Sequence, residues 1–247
     1  MATEQTPIDI VVPAYNEGDN ILATLATLAR EVRTPIRVLL CYDRDDDDTL
    51  AAIRRHGSCG LDVVFVKNLS EGAHGAVMSG FATSRSAHVL VYPADDDYNA
   101  CILDEIFRRG AGGSDIVCAS RFMKGGSMLG CPWPKSVLVR IAAFTLYHVG
   151  RIPTHDATNG LRLFSRRLLQ TVTIESTEGF TYSLELLGKC HRLGWPIDEV
   201  AAHWIERKNG KSRFKVLRWI PAYLRWYLFI FATTFLARGP GSVARKG

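Results

Sequence analysis

Three consecutive carboxylates, Asp95, Asp96 and Asp97, follow the apolar run Val89 to Tyr92 with no basic residue beside them. Crowded like charges raise each other's pKa values unless a cation neutralises them. Asp95 and Asp97, two positions apart, can offer oxygens to one hard divalent cation, Mg2+ or Mn2+, and such cations commonly bridge to a substrate diphosphate. A solvated acidic turn is the plainer reading of the same residues. Two other phosphate motifs fail on spacing. The glycine-rich stretch EGAHGAVMSG does not fit GxGxxG, and the Gly210-Lys211-Ser212 triplet has Ile205 where a P-loop needs its first glycine.

The elements that must position these carboxylates follow a regular pattern. Apolar, β-rich runs at 8–14, 37–43, 61–68, 88–94 and 115–121 alternate with helix-compatible stretches, such as 19–32 with Ile21, Leu25 and Leu28 on one face. Continuous apolar strands separated by helices predict an α/β fold with a mostly parallel central sheet flanked by helices, in which ligands bind beyond the carboxyl ends of the strands. Those ends are polar here: Tyr15-Asn16-Glu17, Asp43 to Asp48, Asp95 to Asp97, and Ser120-Arg121. After 121 the alternation stops. A Gly/Pro-punctuated loop, a helix over 136–149, a turn at Asn159-Gly160, a helix over 180–193 and a strand over 197–205 are expected.

The 247 residues suffice for one good-sized core, read as a domain over 1–214 with a tail over 215–247. Net charge is +5, yet from Lys208 onward there are nine Lys or Arg and no Asp or Glu. Such a segment suits a membrane surface, a phosphate-bearing substrate or nucleic acid. The tail's longest uncharged run, 226–237, falls short of the ~20 residues a membrane-spanning helix needs. With Arg218, Arg225 and Arg238 around it and Trp219, Tyr223, Trp226 and Tyr227 clustered, it reads as an amphipathic, interfacial helix. Packing on the domain or on a dimer partner is the alternative. Six scattered cysteines without ligand spacing predict reduced, mostly buried thiols rather than a zinc site. The N-terminus lacks signal-peptide character, so a cytoplasmic protein, peripheral to the membrane, is expected.

Taken in order, the motifs resemble the family 2 glycosyltransferases of the nucleotide-diphospho-sugar transferase (GT-A) fold, and within them the dolichyl-phosphate or polyprenyl-phosphate mannose and glucose synthases. The resemblance runs from about Ile8 to Phe214. IDIVVPAYNEGDNI is similar to the family's first strand and nucleotide-binding turn, implying that Pro13, Tyr15 and Glu17 hold the nucleoside. YDRDDDDT keeps Asp43, Asp47 and Thr49 of the next motif, with Tyr42 at its first Asp; the resemblance gives Asp43 to base recognition. GAHGAVMSG matches the glycine-rich helix start, with His74 at a usual glycine. The acidic stretch aligns with the metal-binding Asp-Ala-Asp: Pro93 stands at the first Asp, Ala94 at the middle position of this donor-binding turn, Asp95 at the second Asp, and Asp97 where some relatives place a further ligand. SRFMKGG gives Arg121 a phosphate role, and HDATNGLR places Asp156, Asn159, Gly160 and Arg162 on the acceptor side. FTYSLELL matches a helix carrying Glu185, and ERKNGKSRF matches a phosphate-binding signature at Arg207, Gly210, Ser212 and Arg213, the last replacing Lys.

The resemblance implies an inverting transferase that moves a hexose from a GDP- or UDP-linked donor to a polyprenyl or dolichyl phosphate. A phosphate acceptor is largely deprotonated near neutral pH, its second pKa being about 6, and needs no strong base. Many relatives that act on hydroxyls supply an Asp from a Glu-Asp pair; here Glu178 is followed by Gly179. A hydroxyl acceptor on a saccharide, lipid or metabolite is the second reading, and a catalytically silent donor-binding subunit, suggested by Pro93 and Tyr42, the third. The expected partners are the donor, the lipid phosphate, the membrane surface and a possible second copy, but no nucleic acid.

Overall fold

The computed structural model describes residues 7–205 and 216–246. Four strand-helix units come first: β1 (Ile8–Ala14) with α1 (Asn20–Glu31), β2 (Ile36–Tyr42) with α2 (Asp48–His56), β3 (Asp62–Lys67) with α3 (Gly72–Thr83), and β4 (His88–Val91) with α4 (Leu103–Ala111). Then follow β5 (Ile116–Ser120), β6 (Ser127–Leu129), α5 (Trp133–His148), β7 (Arg162–Ser165), α6 (Arg166–Thr171), α7 (Thr181–Leu193), β8 (Ile197–Ala201), β9 (His203–Ile205) and α8 (Val216–Phe235).

The main sheet has the order β3-β2-β1-β4-β7-β5-β8. Its strands are parallel except β7, which runs antiparallel to both neighbours. Successive side chains point to opposite faces, and both faces are covered. Ile10, Leu40, Leu90 and Leu163 belong to the cluster that α1, α2 and α4 close, and Val11, Leu39, Val91 and Phe164 to the one closed by α3, α6 and α7. Double coverage explains why the strands read as unbroken apolar runs.

Three departures from the expected elements have local causes. The segment around Asn159-Gly160, expected as a turn, leads directly into β7, whose four residues begin with an arginine and carry almost no strand signal. The strand expected over 197–205 is interrupted at Ala202; β8 stays in the main sheet and β9 pairs with β6 in a separate two-stranded one. The loop expected after Arg121 contributes β6. Of the cysteines, Cys41, Cys118 and Cys190 are buried while Cys59 and Cys101 are exposed, and all are free thiols.

Helix α8 buries one side. Trp226 and Ile230 join the core, and Ile230 lies over Gly188 of α7 and over Gly150, where added Cβ atoms would stand 2.9 and 3.1 Å from its side chain. Only glycine permits that approach. Arg192 of α7 donates to Phe229 O at 2.5 Å and Thr233 Oγ1 at 2.9 Å, fastening the two helices further. Among the described residues no helix is long and apolar enough to cross a membrane.

Candidate active site

Strand β1 lies between β2 and β4, so the chain winds outward through β2 and β3 and then returns to the other side of β1. The crevice beyond the carboxyl ends of β1 and β4 is where such sheets bind ligands. One wall is the loop after β1, in which Asn16 adopts φ 49°. The start of α2 straps this loop down: Asn16 N donates to Asp47 Oδ2 (3.0 Å), Glu17 N to Thr49 Oγ1 (3.0 Å) and Gly18 N to Asp48 Oδ1 (2.8 Å). Asp47 also caps α2 by accepting from Thr49 N. Two of the acidic residues expected at the end of β2 therefore hold backbone in place. Pro13 is half-buried at the foot of the loop, and Tyr15 stands 48% exposed. Asp43 accepts from Asn68 Nδ2 (2.6 Å) and Gly72 N (3.0 Å), joining the end of β2 to the start of α3.

The acidic turn forms the other wall. Its base is fixed where Thr24 Oγ1 of α1 donates to Ala94 O at 2.9 Å. The three carboxylates then diverge. Asp96 turns inward and is buried, accepting from Asn99 N (2.8 Å), Asn99 Nδ2 (2.6 Å) and Tyr98 N (3.2 Å). Asp95 is half-buried and Asp97 exposed. Burial pushes the Asp96 pKa up, the hydrogen bonds from Asn99 and Tyr98 oppose it, and the charge of Asp95 adds the smallest contribution. Desolvation therefore dominates the mutual repulsion expected of a crowded triplet. Among the described residues no group of three or more His, Cys, Asp or Glu forms a metal-binding cluster. Two all-oxygen donors on one turn, with the third withdrawn, nevertheless fit a cation that takes one or two carboxylates and completes its shell with water and substrate phosphates.

Asn99 also reaches across to β9. Its Nδ2 donates to His203 O (2.8 Å) and its Oδ1 accepts from His203 N (3.0 Å), while Ile205 N donates to Tyr98 Oη (3.3 Å). The chain thus leaves β9 fastened to the acidic turn. Arg207, Gly210, Ser212 and Arg213 lie outside the described residues.

Beyond β5, Arg121 turns back onto Asp156. Its Nε donates to Asp156 Oδ2 (2.6 Å), its Nη2 to Oδ1 (2.9 Å) and to Thr158 Oγ1 (2.7 Å), and its backbone N to Oδ2 (3.1 Å). Burial of Asp156 alone would raise its pKa, but the charge and hydrogen bonds of Arg121 outweigh burial and hold it below the usual carboxylate range. Arg162, fully buried at the start of β7, donates to Ser183 O (2.7 Å), Ser183 Oγ (2.9 Å) and Ala157 O (3.2 Å), joining β7, α7 and the 156–157 turn. Asn159 Oδ1 accepts from Leu161 N. The sheet therefore carries Arg121, Asp156 and Arg162 together on the same edge as Asp95. Glu185 sits apart, buried in α7, where it accepts from Glu175 N, Ser176 N and Lys189 Nζ.

The sequence reading missed Asn99, and it missed a carboxylate-imidazole pair beside Asp156. Glu199 of β8 accepts from His155 N (2.8 Å) and Thr154 Oγ1 (3.0 Å) and contacts His155 Nδ1, while Tyr147 of α5 stacks on the imidazole with ring centroids 3.9 Å apart. The His155-Asp156 adjacency was the available signal; the link to Glu199, forty-four residues on, was not.

Comparison with known proteins bears on this arrangement. A polyprenol monophosphomannose synthase of Mycolicibacterium smegmatis is 25% identical over 228 residues, 85% of each chain. An uncharacterized glycosyltransferase of Mycobacterium tuberculosis is 28% identical over 207 residues, 83% of this chain and 88% of that one. The structure of glucosyl-3-phosphoglycerate synthase from M. tuberculosis, in complex with Mn2+, UDP and glucosyl-3-phosphoglycerate, shares the fold at a TM-score of 0.66 and 16% identity, over 92% of this chain and 79% of that one. The model of glycosyl transferase family 2 matches residues 9–173, from the first strand through the crevice, the acidic turn and the Arg121-Asp156 pair, and the chain belongs to that family.

Proposed function

We propose that this family 2 glycosyltransferase moves a hexose, mannose or glucose, from a GDP- or UDP-linked donor to a polyprenyl phosphate, with inversion at the anomeric carbon. The observation that carries the acceptor is the similarity to the polyprenol monophosphomannose synthase, which spans most of both chains rather than the donor half alone.

In this reading Pro13, Tyr15 and Glu17 on the strapped loop hold the nucleoside together with Asp43 and Ala94. Asp95 and Asp97 hold Mg2+ or Mn2+, which when bound neutralises the leaving diphosphate. Arg207 and Arg213 supply further positive charge there. Arg121, Asp156 and Arg162 shape the acceptor side, where bound geometry aligns the acceptor oxygen behind the anomeric carbon. That oxygen forms the new bond as the bond to the diphosphate breaks, and no proton has to leave it.

The His155-Glu199 pair favours a second reading. A hydroxyl acceptor has a proton to lose, and an imidazole oriented by a carboxylate is a suitable base. The deciding experiment offers radiolabelled GDP-mannose and UDP-glucose with a short polyprenyl phosphate, a saccharide or 3-phosphoglycerate. Label in the lipid phosphate supports the first reading. Label only in a hydroxyl acceptor, lost in His155→Gln, replaces it, and donor binding by calorimetry without transfer leaves a silent subunit.

A further inference from the structure

Helices α5 and α8 lie side by side on the outside of the domain. Thr145 Oγ1 and Tyr227 Oη hydrogen-bond at 2.5 Å, and Thr234 Oγ1 donates to Gly150 O at 2.8 Å. Each helix turns a different stripe inward: Ala143 and Leu146 on α5, Trp226 and Ile230 on α8. What remains outward is mostly apolar on both, with Arg140 on α5 and Arg225 on α8 exposed among it. Val137, Ile141 and Phe144 recur at helical spacing on α5, as do Leu224, Leu228 and Phe235 on α8, and all six are exposed, Phe144 at 60% and Leu228 at 58%. Isolated exposed apolar residues are ordinary, but two adjacent helical stripes form a patch that marks an interaction surface.

The charge of the sequence segments that carry the patch points to its occupant. Residues 116–155, which include α5, and 207–247, which include α8, together hold fifteen of the thirty Lys and Arg and none of the twenty-five Asp and Glu. A second copy docking through a two-fold axis would bring the same cationic segments against each other. An anionic lipid surface complements them, and apolar side chains set among basic residues are what an interfacial helix inserts.

We infer that α5 and α8 together form a membrane-docking face that binds anionic lipid surfaces, with α5 contributing as much as the C-terminal helix. The face stands on the surface itself and does not depend on which acceptor is used.

The test is co-flotation of the full chain with phosphatidylcholine vesicles with and without phosphatidylglycerol. Wild type should bind the anionic vesicles and be displaced by salt. Ile141→Ser with Phe144→Ser on α5 should weaken binding about tenfold or more, since each large apolar side chain that enters the interface contributes roughly that factor. Leu224→Ser with Leu228→Ser on α8 should do the same, and calorimetric donor affinity should stay unchanged in both. Binding unaffected by the α5 pair would overturn the inference. So would light scattering that shows a dimer dissociated by either pair, which would make the occupant a second copy. Because vesicle binding is read without sugar transfer, the acceptor assignment and this face can fail independently.

Discussion

Asn99 and His203 exchange two hydrogen bonds, 2.8 and 3.0 Å, so that one side-chain amide imitates a strand partner and ties the acidic turn to β9. The same Asn99 donates to the buried Asp96 carboxylate. One residue thus fixes the inward member of the acidic triplet and the strand from which the chain continues toward Arg207. Asn99→Ala removes these contacts and leaves buried polar groups unpaired, at about 1–3 kcal/mol. The expected outcome is a lower urea midpoint together with at least a tenfold loss in kcat/KM. A stability loss with unchanged kinetics would show that the turn does not need this tie.

The three carboxylates should separate in calorimetry with a nucleotide-sugar and Mn2+. Asp95→Ala should abolish metal-dependent donor affinity, and Asp97→Asn should weaken it about tenfold, as for loss of one charged ligand. Asp96→Asn should retain the metal dependence and lose stability instead, because its oxygens are engaged by Asn99 and Tyr98. Equal losses at all three positions would contradict the division of roles.

The buried pair Arg121-Asp156 invites a double-mutant cycle. Removing one partner strands a charge out of water, so Asp156→Ala should cost about 3–5 kcal/mol. Arg121→Leu combined with it should recover part of that cost in urea melts. Additive losses would mean that the two residues act separately.

At the opposite edge of the sheet, Asp9 accepts from Arg37, Ser84 and the backbone of Arg85 and Ser86. Burial opposes these contacts, which together bring its pKa down from 3.8 to about 2. A depressed carboxyl contributes stability that is complete above the unfolded value, about 4, and lost as the pH falls toward 2. The size is about 2 kcal/mol. Asp9→Asn should be less stable than wild type at pH 6, with the gap closing near pH 2, while donor binding at pH 7 is retained. A gap independent of pH would assign its effect to packing.

The first half of the molecule was legible because its signals are local. Strands buried on both faces read as apolar runs, and polar residues at their ends mark the crevice, so Tyr15, Asp43 and Asp95 could be placed on one edge before any coordinates. Sequence alone could not separate Asp95, Asp96 and Asp97, since which one turns inward is decided by Asn99, the Tyr98 backbone and the Tyr92 hydroxyl, which donates to Asp96 O at 2.9 Å, and a run of identical residues carries no direction. The second half was less legible. A four-residue strand that opens with arginine has no periodicity to detect, and partners such as His155 and Glu199 meet only through the sheet. The tail's composition led to the expectation of an amphipathic helix, and a helix forms there; that Ile230 would rest on Gly188 and Gly150 depends on contacts far apart in the chain.

Strand β7 has a last consequence. Arg162 pairs with Val91 on one side and Cys118 on the other, and Leu163 with Leu90 and Val117. Because neighbouring side chains alternate between faces, a slip of one residue would exchange the arginine and the leucine, driving a guanidinium into one apolar cluster and pulling a leucine out of it. The alignment that completes the core is therefore the same alignment that delivers Arg162 beside Ser183 and Ala157. A molecule with a sound interior therefore holds Arg162 against Ser183 and Ala157 as well.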